Sequence, residues 1–174
     1  MHWYLSCFRN YATFTGRARR KEYWMFILFN VLLFFAWIIL FIPLLINEAY
    51  IPAFSLSGIY GLYLLAAFVP YLAVTVRRLH DTNHSGWWLA AFWGAPFLIW
   101  TVQVVAYISL TMSASAQGMP YAYPALSGVS LILDLGGFAL SIVQFVFLLK
   151  SGTIGENKYG PDPKSMDGDQ GIDL

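Results

Sequence analysis

Arg77-Arg78-Leu79-His80-Asp81-Thr82-Asn83-His84-Ser85-Gly86-Trp87-Trp88 gathers most of the reactive side chains of this chain into twelve residues. His80 and His84 are four apart, the spacing that puts two imidazoles on one helix face as metal ligands. Asn83, Ser85 and Gly86 point to a turn instead, and no Cys or third carboxylate lies nearby, so no metal is expected. A His80–Asp81 pair could act in catalysis only with a nucleophile brought from elsewhere. The expected role is therefore a polar surface on which Arg77, Arg78, His80 and Asp81 meet each other and lipid phosphates. Arg17, Arg19 and Arg20 extend the same surface from the other side of the first apolar stretch. Glu22, between Lys21 and Tyr23, is expected to pair locally with Arg19 or Lys21. Gly152–Pro163 is rich in turn formers. Its glycines resemble a phosphate loop only weakly, because no strand precedes them and no Gly-Lys-Ser/Thr follows. No cofactor is expected.

A second set of polar residues lies within apolar surroundings. Asp134 is the one ionisable group there, and such a residue is by default a functional candidate. Its depth, about 12 Å from the outer end of its stretch, is close to that of Gln103, about 10 Å from the outer end of the preceding one. A protonated Asp134 hydrogen-bonded to Gln103 is the expectation. Asn30 and Gln144 share a depth nearer the other end.

These residues must be positioned by four apolar stretches, roughly 23–46, 56–76, 87–110 and 126–149. Helices of this length rise about 32–36 Å, enough to cross a hydrocarbon core of about 30 Å. With 59% apolar and 11% charged residues in 174, the composition is that of a membrane protein. Of the ten Lys and Arg residues, five precede the first stretch, two lie between the second and third, and three follow the fourth. The connections 47–55 and 111–125 hold none. Basic residues stay on the cytoplasmic side, so this alternation predicts both termini in the cytoplasm. The expected fold class is all-α: a polytopic four-helix transmembrane bundle forming one integral domain over 1–163, with an acidic, disordered cytoplasmic tail at 164–174. The first stretch follows five basic residues and is too long for a cleavable signal peptide. The single Cys7 excludes an internal disulfide.

Trp3, Tyr4, Cys7, Phe8, Tyr11 and Phe14 recur at three- and four-residue intervals, which predicts a short amphipathic helix over 2–15, lying in the membrane interface or packed against the bundle. Tyr23, Trp24, Trp87 and Trp88 mark the cytoplasmic boundary. Pro43, Pro70 and Pro96 should kink or end helices. Ala90 with Gly94, and Gly137 with Ser141, have the spacing of close helix contacts.

Three segments, in order and spacing, resemble the YhaH/YhaI-like small bacterial inner-membrane proteins, a family without assigned function. They are Phe14–Trp24, then Arg77–Asp81 with Ser85–Trp88, then Gly155–Pro163; Trp3-Tyr4 fits as well. The resemblance covers most of 1–163 and implies a bacterial inner-membrane location. Shorter relatives join the Trp-Trp segment to the Gly-rich one through a single brief apolar stretch, whereas two full stretches intervene here. The family supplies no substrate, cofactor or catalytic residue.

The expected function is non-enzymatic: a scaffold or adaptor whose cytoplasmic face, built from the Gly16–Arg20 segment, the His80-Asp81 loop and the Gly152–Pro163 tail (contact residues Arg17, Arg19, Arg20, Arg77, Arg78, His80, Asp81), binds anionic headgroups or a protein partner. The bilayer is the first partner; a second copy of the chain or another membrane protein is the next, and nucleic acid is not one. A small transporter or channel subunit built around Asp134 is the rival reading, and a lipid-acting enzyme dependent on His80 and Asp81 the third.

Overall fold

The computed structural model describes residues 2–116 and 124–165, with side chains omitted at 124–127. The helices are α1 (His2–Arg9), α2 (Arg20–Ile46), α3 (Tyr50–Asp81), α4 (Trp87–Ala116) and α5 (Pro124–Leu149). Among the described residues there is no strand, only an isolated bridge between Asn157 and Gly160. Four of the helices are long and apolar enough to cross a membrane. The fold is therefore the expected all-α, four-span class. The expected acidic tail falls almost entirely outside the described residues.

The chain divides into two compact units, one of residues 1–85 and 150–174, the other of residues 86–149. In the first, α2 and α3 run antiparallel over a three-residue connection, Asn47–Ala49. This is much shorter than the 47–55 loop expected, because Tyr50–Ser55 are already helical. Both helices end in the same way. Glu48 (φ +56°) and Asn83 (φ +63°) take the left-handed conformation. The following amides then reach back, Ala49 N–H to the Leu44 carbonyl at 2.8 Å and His84 N–H to that of Leu79 at 2.9 Å. These bonds satisfy carbonyls that a helix end would otherwise leave open. With 32 residues α3 is about 48 Å long, well beyond a hydrocarbon core of about 30 Å, so its last turns project past the apolar zone.

Helix α1 spans only His2–Arg9, not 2–15, and packs on the α2–α3 pair. Tyr4 stacks on Phe26 at 5.6 Å and meets Phe29 at 5.0 Å. Its hydroxyl lies 3.1 Å from that of Tyr63, which donates to Asn30 Oδ1 at 2.7 Å. Asn30 thus finds its partner in Tyr63. Further along, Trp37 stacks on Phe41 and Tyr60 at 4.8 and 5.2 Å.

In the second unit α4 carries a π-helical turn at Ala90–Gly94, just before Pro96. Proline lacks the N–H for the fourth carbonyl behind it and crowds that carbonyl, and a wider turn relieves both problems. The Ala90–Gly94 pair lies in this turn, and Gly94 has nothing within 4 Å of where a Cβ would be, so it is not a close-contact site. Gly137 is one, 3.9 Å from Pro96 Cβ.

Candidate functional site: the basic end of the first unit

The chemistry concentrates where the start of α2, the end of α3 and the segment after α5 converge. Asp81 is the hub. Arg17 reaches its Oδ1 through Nε at 3.0 Å and Nη2 at 2.9 Å. Arg78, one helical turn back, bonds Oδ2 and also the carbonyl of Lys150. Asp81, Arg17 and Arg78 are all buried. Arg17 further donates to the carbonyls of Thr153 (2.5 Å), Gly155 (2.6 Å) and Gly160 (3.3 Å). A planar guanidinium with five fixed donors can hold a carboxylate and several carbonyls together, which a lysine could not.

The returning segment is shaped for this. Gly155 (φ +76°) turns its carbonyl toward Arg17 in a conformation that favours glycine. Gly152 lies against Asp81: a Cβ there would fall 2.5 Å from the carboxyl carbon and 2.6 Å from Oδ1. Thr153 N–H donates to the Asp81 carbonyl at 2.8 Å, and Asn157 Nδ2 to that of His80 at 3.1 Å. Tyr159 stacks flat on the His80 ring, centroids 3.8 Å apart. His80 Nδ1 faces the Gly16 carbonyl at 3.1 Å, so that nitrogen carries the proton. Burial lowers the His80 pKa, the Gly16 bond partly opposes this, and the Lys158 charge adds to the lowering.

A second ion pair lies on the α1 side. Glu22 Oε1 accepts from Arg77 Nη1 at 2.9 Å, both side chains buried. The expected local pairing of Glu22 with Arg19 or Lys21 is thus replaced by a bond across to α3, because Glu22 faces inward at the start of α2. Arg77 Nε and Nη2 are enclosed without a hydrogen-bond partner. The Cys7 thiol lies 3.9 Å from Glu22 Oε1. Burial, and then the Glu22 charge, push its pKa up to about 12.

Beside this frame opens a cleft of about 280 Å³, walled by Arg19, Arg20 and Lys21 of the α2 start, by Asp81, and by Gly152, Thr153 and Asp162–Lys164. Arg19 spans its rim, donating to the Pro163 carbonyl through Nε at 2.7 Å, with its guanidinium 5.7 Å from the Trp3 ring centre. Asp162 accepts the N–H of Lys164 at 2.9 Å and that of Gly155 at 3.3 Å; these bonds, the Lys164 one first, hold its carboxyl below the usual range.

Of the seven residues expected to form a contact surface, the structure therefore brings all seven to one end but divides them. Arg17, Arg77, Arg78, His80 and Asp81 are buried in the frame, and Arg77–Asp81 belong to the last turns of α3, not to a loop. Arg19 and Arg20 line the cleft. From sequence the Gly16–Arg20 segment and the 152–163 tail were expected at this face, but Glu22 was not, and Gly16, Gly152, Asn157 and Tyr159 were given no contacts of their own. The density of turn formers at 152–163 was the available signal, but it says where a chain bends and not what its carbonyls face. No group of three or more His, Cys, Asp or Glu among the described residues could share a metal.

The intramembrane pair is not formed. Gln103 lies on the face of α4 turned toward α5, with Nε2 buried and lacking a partner. On α5 the less exposed residues are Ser130, Leu133, Gly137, Leu140, Gln144, Phe147 and the buried Leu148, and Asp134 is off this stripe and exposed. The depths matched; the angular positions about the helix axes did not.

Most of the residues that build this end lie in the three motif segments, with Lys150, Gly152, Thr153 and Lys164 just outside them. The sequence matches, over residues 11–161, the family described as Protein of unknown function (DUF805). The chain belongs to that family. It is 37% identical over 164 residues to the inner membrane protein YhaI of Escherichia coli strain K12, covering 94% of this chain and 97% of YhaI. Inner membrane protein YhaH of the same strain is 35% identical over 164 residues, covering 94% and 98%. The uncharacterized protein YiiR is 28% identical over 171 residues, 88% of each chain. No solved structure matches. The chain is thus a multi-pass membrane protein of an inner-membrane family.

Proposed function

We propose that this protein is a non-enzymatic inner-membrane protein, both termini cytoplasmic, whose basic end docks anionic headgroups of the facing leaflet. One observation carries the reading: Arg19, Arg20, Lys21 and Lys164 border a single cleft mounted on a buried frame of ion pairs. Among its lining residues only Asp81 and Asp162 are acidic, and Asp81 is already held by Arg17 and Arg78. The cleft is therefore net positive, and each cation near an anionic leaflet is worth roughly 1 kcal/mol. The distribution of basic residues supports the orientation. An enzymatic role for His80 and Asp81 is disfavoured by their engagement: the imidazole is covered by Tyr159 and the carboxylate by two arginines.

The test is reconstitution in phosphatidylcholine bilayers containing brominated phosphatidylglycerol or brominated phosphatidylcholine, read by tryptophan quenching. Relative binding should favour the anionic lipid and fall as salt rises. Equal constants at low salt, or reporter fusions after Lys150 active only outside the cytoplasm, would overturn the proposal.

A further inference from the structure

The first unit has a second concavity. Phe26, Ile27, Val31 and Phe34 of α2 and Ala67 and Tyr71 of α3 are among the walls of an apolar groove of about 450 Å³, whose other lining residues include Asn30. That volume lies within the ~300–1,000 Å³ range of small-molecule sites, yet the groove presents almost no polar surface to fix a soluble ligand. Its position relative to the cleft gives it meaning. Arg20 of the cleft and Ile27 of the groove are seven residues apart on α2, hence on one face and about 10 Å apart along the axis. Tyr23, buried, lies between them on the same face of α2, three residues after Arg20 and four before Ile27. Tyr71, in the groove wall, shares a hydrogen bond with Tyr23.

An apolar groove about 10 Å along one helix face from a net-positive cleft is complementary to a molecule with a long apolar chain and an anionic head. We infer that the two concavities form one site for a single anionic glycerophospholipid, its phosphate among Arg20, Lys21 and Lys164 and one acyl chain along Val31 and Phe34. The inference rests on the proposed headgroup docking and adds to it a defined stoichiometry and a chain-binding half. The first turn of α2 supports the head position, since Arg19 at its start makes no side-chain cap and the helix N-terminus favours negative charge. A transmembrane helix from a second copy would fill the groove but would have to bring an acidic group to its basic mouth. Among described residues away from this end the acidic groups are Glu48, at the opposite end of α2, and Asp134, well inside α5. The charge therefore favours lipid.

The experiment is native mass spectrometry of the full chain released from nanodiscs holding equal amounts of phosphatidylglycerol and phosphatidylcholine with identical acyl chains. Wild type should retain one phosphatidylglycerol per chain, with about tenfold preference over phosphatidylcholine. The double variant Arg20→Gln, Lys21→Gln should lose that preference. Val31→Trp fills the groove at a position already exposed, so folding is preserved. It should cut retention about tenfold while leaving competition by water-soluble glycerophosphoglycerol at the cleft unchanged. Thermal unfolding of each variant within a few degrees of wild type certifies the comparison, and Lys164→Gln, at an exposed cleft position, serves in place of the double glutamine change if it does not. Loss of preference in the cleft variant with no effect of Val31→Trp would overturn the single-site inference and leave headgroup docking standing. No effect of either would overturn both. A dimer that dissociates in Val31→Trp, with no retained lipid, would assign the groove to a second copy and overturn the lipid.

Discussion

Arg17 and Asp81, 64 residues apart in sequence, are joined through two guanidinium nitrogens at 3.0 and 2.9 Å, with side chains only 2% and 7% exposed. A buried pair of this kind is held less by its own attraction than by the bonds around it. Removing one partner leaves a charge without compensation. Asp81→Asn should therefore destabilise the folded chain by about 3–5 kcal/mol, since it strands both Arg17 and Arg78. Arg17→Lys should also destabilise, because an ammonium cannot hold the carboxylate and three carbonyls together. Thermal or denaturant unfolding in detergent checks both, and an Asp81→Asn protein as stable as wild type would contradict the arrangement.

Gly152→Ala places a methyl 2.5 Å from the Asp81 carboxyl carbon. The carboxylate is clamped from two sides by Arg17 and Arg78, so it cannot give way cheaply. A loss of about 1–3 kcal/mol is expected, the range for overpacking. Gly128→Ala, in open surroundings on α5, is the control and should be close to neutral or mildly stabilising.

His80 makes stability depend on pH. Its folded pKa is lowered, chiefly by burial, from an ordinary value of 6.5. As pH falls through 6.5 the unfolded chain takes up a proton before the folded one does, which favours unfolding. The contribution of His80 is thus fully present above that value, declines as pH drops below it, and levels off beneath the folded pKa. His80→Gln can still donate to the Gly16 carbonyl but does not titrate. It should flatten the part of the stability profile between pH 7 and 5 that His80 supplies, measured as melting temperature against pH.

Cys7 should be chemically silent in the folded protein. With its pKa pushed up to about 12 and its side chain fully buried, it holds almost no thiolate at pH 8. Maleimide labelling should be slower than in the denatured chain by on the order of a hundredfold or more. Rapid labelling in the folded state would mean that α1 does not stay docked on α2 and α3.

The parts of the fold that could be read from sequence were those governed by one dimension. The four spans follow from apolar length, because a bilayer sets a minimum rise. Depth within a span follows from counting residues, which is why Asp134 and Gln103 were placed in one layer. Rotation about the axis does not follow from counting, and it decided the outcome: Gln103 is on the stripe that meets α5, whereas Asp134 is off the stripe that meets α4. Glu22 shows the same limit. Its neighbours in sequence are basic, but it is turned inward, and Arg77 on the facing helix was closer in space than Arg19 or Lys21 were in orientation. For 152–163 only its place on the basic face was legible, not the bonds that dock it. These depend on backbone carbonyls, which every residue has and no composition reveals.

The bonds of Arg17 also order the making of the protein in time. Its carboxylate partner leaves the ribosome with α3, but the carbonyls of Thr153, Gly155 and Gly160 emerge only after α4 and α5, 136 to 143 residues later. Until then the guanidinium carries donors that the finished fold assigns to a segment not yet synthesised. The basic end is therefore sealed by the last described stretch of chain, and it closes only on a polypeptide whose third and fourth spans have already been translated. A chain truncated before Thr153 would present an open, charged end to the proteases that patrol the membrane surface.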